Sequence, residues 1–250
     1  MSDEIYCAFA EVYGRFWEDY SAAMLAWFPA LRKHFALRPC AVLDLACGTG
    51  RFAIGLAKQG FRVSGVDLSP HMLAIARRKA QKAGVNVDWS CQDMRSFAVS
   101  EPIDLVTCWF DSLNYLTDPD DLVRAFEAAH RSLAPGGTFV FDMNTIRGLA
   151  ERWNTKAAIN VNTPSCFVVT DTTYDAATQT NTLVMHGFVR RRVRFERFRE
   201  VHAQRAYPLS SLSDWLEAVG FSDVHIFTRK DFAPADEDQF RVYVFARRPS

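Results

Sequence analysis

The chain has 250 residues with 29 basic and 29 acidic side chains, so no net field draws it as a whole to nucleic acid or to an anionic membrane. It is 49% hydrophobic, enough to bury one substantial core, as a single domain or as a domain with an insertion. Its six cysteines form no C-x-x-C pair and no apolar run reaches about 18 residues, which argues against a zinc or redox pair and against a membrane span.

The N-terminal residues lack a basic stretch followed by an apolar one, so a reduced cytoplasmic setting is expected, and no resident metal. Residues 5–36 are helical in pattern and rich in aromatics: Tyr6, Phe9, Tyr13, Phe16, Trp17, Tyr20, Trp27 and Phe28. From about 40 to 145, apolar runs at 41–46, 61–66, 85–91, 103–109 and 138–143 alternate with helical stretches near 51–59, 70–83 and 120–133. Gly60, Gly84 and Pro135-Gly136-Gly137 punctuate them. Such alternation predicts βαβ units, a parallel sheet and helices on both of its faces. After about residue 152, Cys166–Asp175 and Asn181–Phe198 are rich in Val, Thr, Phe and Tyr, with turn-prone residues between, which reads as an antiparallel hairpin or small sheet. A helix near 209–219 stopped by Gly220, then strands near 223–228 and 240–247, returns the chain to the first core.

The most informative stretch is Val42-Leu43-Asp44-Leu45-Ala46-Cys47-Gly48-Thr49-Gly50: a strand, a tight turn and a helix N-terminus. Helix N-termini offer unpaired N–H groups, and glycines let a ligand approach the backbone closely. Asp44, within the strand and just before the turn, would repel a pyrophosphate and hold an ammonium. The pocket is therefore suited to a nucleotide-like ligand that carries a cation. Further landmarks follow the other strands: Asp67 in Gly65-Val66-Asp67-Leu68-Ser69-Pro70, then Asp93-Met94, Trp109-Phe110-Asp111-Ser112, and Phe141-Asp142-Met143-Asn144. In open α/β sheets, ligands bind outside the carboxyl ends of the strands, where these residues collect.

Together these landmarks resemble the class I S-adenosylmethionine-dependent methyltransferases, over roughly residues 38–145 plus the last helix and two strands. The segment Cys108–Leu116 and the β-rich insertion resemble small-molecule N-methyltransferases, including amino-sugar enzymes. The resemblance implies a Rossmann-like α/β open sheet, mostly parallel with an antiparallel last strand. It divides the chain into a helical N-terminal lid over 1–36, a core of 37–151 and 207–250, and an antiparallel β insertion over 152–206 that roofs the acceptor site. It further implies S-adenosylmethionine as cofactor. Asp67 would accept from the ribose hydroxyls and Asp93 from the adenine amino group beside Met94. Gly48 and Gly50 would leave room for the methionine portion, and Asp44 would orient its ammonium. Ala46, Leu68, Met72, Trp109 and Phe110 would complete the cofactor wall, with Tyr13, Trp17 and Tyr20 closing over the sulfonium by cation–π contact.

A dinucleotide-dependent oxidoreductase is the rival reading, since Gly48–Ala53 satisfies the loose G-x-G-x-x-[GA] form and Asp67 stands near the expected offset. Against it, Asp44 would face the pyrophosphate, Asp93-Met94 has no assigned role, and no Ser/Tyr-x-x-x-Lys pair is apparent. A non-catalytic binder of the same cofactor is the third reading.

Substrate signals are weaker. Phe110-Asp111-Ser112-Leu113 replaces the (Asn/Asp)-Pro-Pro-(Tyr/Phe) of enzymes that methylate base amines, and no Pro-Cys stands there, so a nucleic-acid target is disfavoured. A small-molecule acceptor methylated at nitrogen is the leading expectation, with oxygen close behind. Tyr115, Asn114 and Asn144 are expected near the transferred methyl, with His186 or His202 added from the insertion; each histidine is otherwise a surface residue of a strand. Arg190, Arg191, Arg192, Arg194, Arg197, Arg199 and Arg205 read as a solvated sheet face, or, if aimed into the cleft, as the sign of an acidic substrate. Edge strands in the insertion leave a homodimer open.

Overall fold

The computed structural model describes Tyr6 and residues 9–250. Two helices come first, α1 (Ala10–Phe16) and α2 (Asp19–His34), broken at Trp17-Glu18 where a single run of helical pattern had suggested continuity. The apolar runs then form β1 (Ala41–Leu45), β2 (Arg62–Asp67), β3 (Asp88–Cys91), β4 (Ile103–Cys108) and β5 (Leu133–Asn144). Between them lie α3 (Arg51–Ala57), α4 (Pro70–Ala83) and α5 (Pro119–Ser132). Local chemistry sets these boundaries. Ser69 caps α4 by accepting from the Met72 N–H at 3.3 Å, Pro70 occupies its first turn, and Gly84 closes it in a left-handed conformation. Asp118 and Pro119 begin α5 in the same way.

The insertion is a four-stranded antiparallel sheet of β6 (Ala158–Thr163), β7 (Cys166–Asp175), β8 (Thr180–Arg191) and β9 (Arg194–Arg205), paired in that order. It is larger than a hairpin, and the single run expected over 181–198 is divided by a turn at Arg192-Val193. Arg192 turns there with φ +55°, a conformation usually signalled by Gly or Asn, so arginines on both sides concealed it. The chain returns through α6 (Leu209–Val219), β10 (Ser222–Phe227) and β11 (Arg241–Arg247).

The large sheet runs β10-β11-β5-β4-β1-β2-β3. β3, β2, β1, β4 and β5 are parallel, whereas β11 lies antiparallel between β5 and β10. The chain builds outward from β1 in one direction and from β4 in the other, so the switch point lies between them. All five residues of β1 are buried, as a central strand covered on both faces requires. One face packs on α5 and α6 through Phe126, Phe139, Phe141 and Leu216; the other packs on α2 and α3 through Phe28, Phe52, Leu105 and Phe245. A third cluster joins α1 to the insertion through Phe9, Val12, Val168 and Phe198. Among the described residues no helix is long and apolar enough to cross a membrane.

Candidate functional site

At the switch point a cavity of about 490 Å³ opens over the carboxyl ends of β1, β2, β3 and β4, within the size range of small-molecule sites. Of the residues singled out from the sequence, Tyr13, Asp44, Ala46, Gly48, Asp67, Leu68, Met72, Asp93, Met94, Trp109, Phe110 and Tyr115 line it. Trp17, Tyr20, Gly50, Asn114 and Asn144 do not.

The turn after β1 shapes one wall. Ala46, Gly48 and Gly50 all have positive φ, at +55°, +55° and +77°, which folds the chain back over the strand end. At Gly50 a Cβ would fall 2.5 Å from the Trp89 ring, so this glycine serves close packing of the turn instead of facing the cavity. Asp44, 3% exposed, accepts a hydrogen bond from the Thr107 hydroxyl at 3.3 Å, and no ion pair joins it to a cation among the described residues. Burial pushes its carboxyl up to about 8. Asp67 accepts the Gly48 N–H at 2.7 Å on one oxygen and the Ser69 N–H at 2.8 Å on the other, and burial also raises its pKa. These two bonds tie the β1 turn to the β2 turn and leave one further lone pair on each oxygen. Asp93 differs: Arg95 grips it through Nε at 2.9 and 3.1 Å, and this bonding lowers its pKa. Arg95 also donates to Asp121 at 2.7 Å, so both line the cavity as a paired rim.

The Trp109–Asp111 loop after β4 is held in strain. Phe110 and Asp111 have φ of +61° and +49°, costly for residues with a β-carbon. Asp142 on β5 accepts both of their N–H groups, at 2.6 and 3.1 Å. Arg241 on β11 bridges Asp142 and Asp111, the latter at 2.5 Å, and lies over the rings of Tyr20 and Phe110 at 4.9 and 5.8 Å. Tyr20 stacks on Phe110 with centroids 4.8 Å apart and bonds the Tyr243 hydroxyl at 3.0 Å. Tyr20 thus backs the cavity wall, where cation–π closure over the ligand had been expected of it. Trp17 packs edge-on against Phe9 at 5.0 Å because the helix breaks beside it. Neither Asp111 nor Asp142 had an assigned role in the sequence, and Arg241 gave no signal.

At the far end Tyr6, Tyr13, Phe110 and Tyr115 form an aromatic wall. Asn114, expected beside the acceptor, is spent on the scaffold: its amide donates to the backbone carbonyls of Asn144 and Arg205 at 3.1 and 2.8 Å and accepts the Asn144 N–H at 2.9 Å. The Asn144 side chain accepts from the Trp153 indole at 3.2 Å. His202 is buried against Tyr115, whereas His186 is half-buried and lies 3.5 Å from Arg197 on the insertion. Arg190, Arg191, Arg192, Arg194, Arg197 and Arg199 are exposed and Arg205 half-buried, and none lines the cavity. The solvated-face reading is the one the structure bears out. Tyr6, Thr49, Ser69, Gln92, Arg95 and Asp121 line the cavity without having been singled out as site residues.

A nucleotide-sized pocket at the switch point, with a buried acid near the end of β1 and a half-buried one at the end of β2, defines a ligand-binding α/β enzyme class, and the comparisons specify it. A methyltransferase-domain family model matches residues 42–137. A protein of Geobacillus sp. (strain WCH70) named as a methyltransferase is 31% identical over 219 residues, covering 83% of this chain and 84% of its own length. The structure of an S-adenosylmethionine-dependent methyltransferase from Clostridium acetobutylicum ATCC 824 superposes with a TM-score of 0.84 at 25% identity, covering 99% of this chain and 100% of its own. That of a sugar N-methyltransferase from Streptoalloteichus sp. ATCC 53650 gives 0.75 at 22% identity, covering 100% and 95%. The chain belongs to the S-adenosylmethionine-dependent methyltransferases, and the dinucleotide-dependent oxidoreductase reading falls.

Proposed function

We propose that this methyltransferase acts on a small molecule, at nitrogen, inside the closed end of the cavity. One observation carries the reading: beyond Asp44 and Asp67 at the ends of β1 and β2, the cavity ends in a wall of tyrosines and Phe110 with no arginine of the insertion entering it. Such a wall suits a neutral or cationic acceptor and offers no guanidinium to an acidic one. The likeness to a sugar N-methyltransferase, which spans the insertion as well as the core, supports nitrogen. Oxygen is the second reading, favoured by the tyrosine hydroxyls that could take a hydroxyl proton as readily as an amine's.

The residues fit the cofactor. Asp44 is a buried carboxyl without a cation, which an amino-acid ammonium would supply. Asp67 retains lone pairs for the ribose hydroxyls. Asp93, whose oxygens already accept from the Arg95 backbone N–H, Nε and Nη2, would accept from the adenine amino group beside Met94 only by giving up or sharing one of these bonds. When bound, S-adenosylmethionine supplies a methyl group on a positively charged sulfur. The protein's own work is to align the nucleophile, exclude water and take up a proton. Trp109, Phe52 and Met72 provide the apolar wall that keeps water away, and the strained Phe110 backbone, fixed by Asp142 and Arg241, aims its ring into the cavity.

Calorimetry with S-adenosylhomocysteine, followed by its production from S-adenosylmethionine with amino sugars, primary amines and phenols, tests the reading. Binding with turnover on a small amine is expected. Turnover only on nucleic acid or protein would overturn it.

A further inference from the structure

Behind Tyr115 a line of buried polar groups leaves the cavity. The Tyr6 and Tyr115 hydroxyls are 2.7 Å apart, and Tyr115 Oη lies 3.0 Å from Nδ1 of His202. Nε2 of His202 lies 3.3 Å from Oε2 of Glu200, without the alignment of a hydrogen bond, and has no other partner among the described residues. His202 is 5% exposed and Glu200 7%. Glu200 is itself fixed, accepting the Tyr6 N–H at 2.8 Å and the Phe9 N–H at 3.0 Å. Neither β9 residue touches the cofactor end of the cavity.

The direction of the line follows from its last member. A carboxylate only accepts, so the ring hydrogen of neutral His202 belongs on Nε2, facing Glu200, which leaves Nδ1 as an acceptor. Nδ1 takes the Tyr115 hydroxyl hydrogen, and the Tyr115 oxygen takes that of Tyr6. Each donor then points away from the cavity, and the hydroxyl oxygens offer lone pairs toward it. A histidine with Nδ1–H would reverse the line and present donors to the substrate instead.

We propose that His202, beside the Glu200 carboxylate, is a positioning residue that acts through Tyr115, holding the two hydroxyls as proton acceptors for nucleophiles that carry a proton. The inference rests on the methyl-transfer reading above and deepens it. As the nucleophile's electron pair bonds the methyl carbon, the carbon–sulfur bond breaks and its pair stays on sulfur. The nucleophile's proton moves to a tyrosine oxygen, a tyrosine proton moves along to Nδ1, and an imidazolium remains beside the Glu200 carboxylate. Solvent takes that proton after product release.

Two measurements test this. In protein labelled with ¹⁵N-histidine and saturated with S-adenosylhomocysteine at about pH 8, His202 should show the Nε2–H form, with the Nδ1 resonance moved by Tyr115→Phe. An Nδ1–H form overturns the proposal, and this result needs no acceptor. In turnover, His202→Gln should lower kcat on benzylamine or phenol by about 100-fold, with KM for S-adenosylmethionine unchanged. The same variant should stay within about threefold of the parent on thiophenolate, a nucleophile with no proton to give up. An equal loss on all three probes would show a structural role and overturn the proposal. Failure of the parent protein to bind S-adenosylhomocysteine would instead bring down the methyl-transfer reading.

Discussion

Asp44→Asn should stabilise the ligand-free protein increasingly as pH rises. Burial pushes the Asp44 carboxyl up to about 8, whereas in the unfolded chain an aspartate titrates near 3.9. Between those values the native state keeps a proton that the unfolded state has lost, so stability falls as pH rises, by about 1.4 kcal/mol per unit. From about pH 5 to about pH 7.5 the cost grows by roughly 3 kcal/mol. Asparagine does not titrate, and every other group cancels when variant and parent are compared at each pH. The variant also carries an amide N–H₂ with no obvious partner, a cost of about 1–3 kcal/mol that is the same at both pH values. Urea unfolding of both proteins should therefore give a stability difference that moves toward the variant by about 3 kcal/mol between the two pH values. Saturating S-adenosylhomocysteine, whose ammonium would pair the carboxylate, should remove most of that movement. Parallel pH dependences without ligand would refute the claim that this acid is buried and without a cation.

Asp67→Asn keeps one acceptor oxygen where two N–H groups need two, so calorimetric affinity for S-adenosylhomocysteine should fall about 10–100-fold; an unchanged Kd would remove Asp67 from the cofactor cradle. Arg241→Met leaves Asp111 and Asp142, whose side chains are 9% and 0% exposed, buried together without their cation. That should cost about 3–5 kcal/mol in urea unfolding, with Arg241→Lys intermediate because it cannot bond both acids as a fork; a loss under about 1 kcal/mol would contradict the buried bridge. Asn114→Ala removes three hydrogen bonds that join the end of β5 and β9 to the Ser112–Tyr115 turn, and should cost about 2–4 kcal/mol while leaving Kd for S-adenosylhomocysteine within about twofold. A large affinity loss at unchanged stability would return Asn114 to the binding site.

What could be read in advance was what is local. Asp44 and Asp67 each sit at the junction of an apolar run and a turn, so a dozen residues of text specify both the strand and the place of the carboxyl. The boundaries of α4 and α5 were legible for the same reason, since Ser69-Pro70 and Asp118-Pro119 are start signals by themselves. The Phe110–Asp111 loop was not, because its support comes from Asp142 and Arg241, and Arg241 stands 99 residues from Asp142 and 130 from Asp111. The aromatic residues of the first helices misled in a different way. Helical spacing puts Tyr13, Trp17 and Tyr20 near one face, but the break at Trp17-Glu18 sends them to three destinations: the cavity, the insertion core and the back of Phe110. His202 looked like one of two equivalent strand histidines, and only the pairing of β8 with β9 and the docking of β9 on Tyr115 separates it from His186.

The acids near the cavity fall into two groups, divided by whether the fold itself supplies them with a cation. Asp111 and Asp142 share the Arg241 guanidinium, and Asp142 also binds two backbone N–H groups, so their charges are answered within the fold. Asp44 is as deeply covered and Asp67 is half-buried, yet only neutral donors approach them: the Thr107 hydroxyl and the Ala53 backbone N–H for Asp44, two amides for Asp67. A fold selected for stability alone would place an apolar residue or a cation there. Two acids left in this condition, on adjacent strands and facing one cavity, are stabilised when a ligand brings a cation to the first and hydroxyl groups to the second. The same cavity ends, on its other side, at hydroxyls backed by His202 and Glu200. The cavity therefore has acids at one end and tyrosine hydroxyls at the other, with the ring of Phe110, carried on a strained backbone, between them.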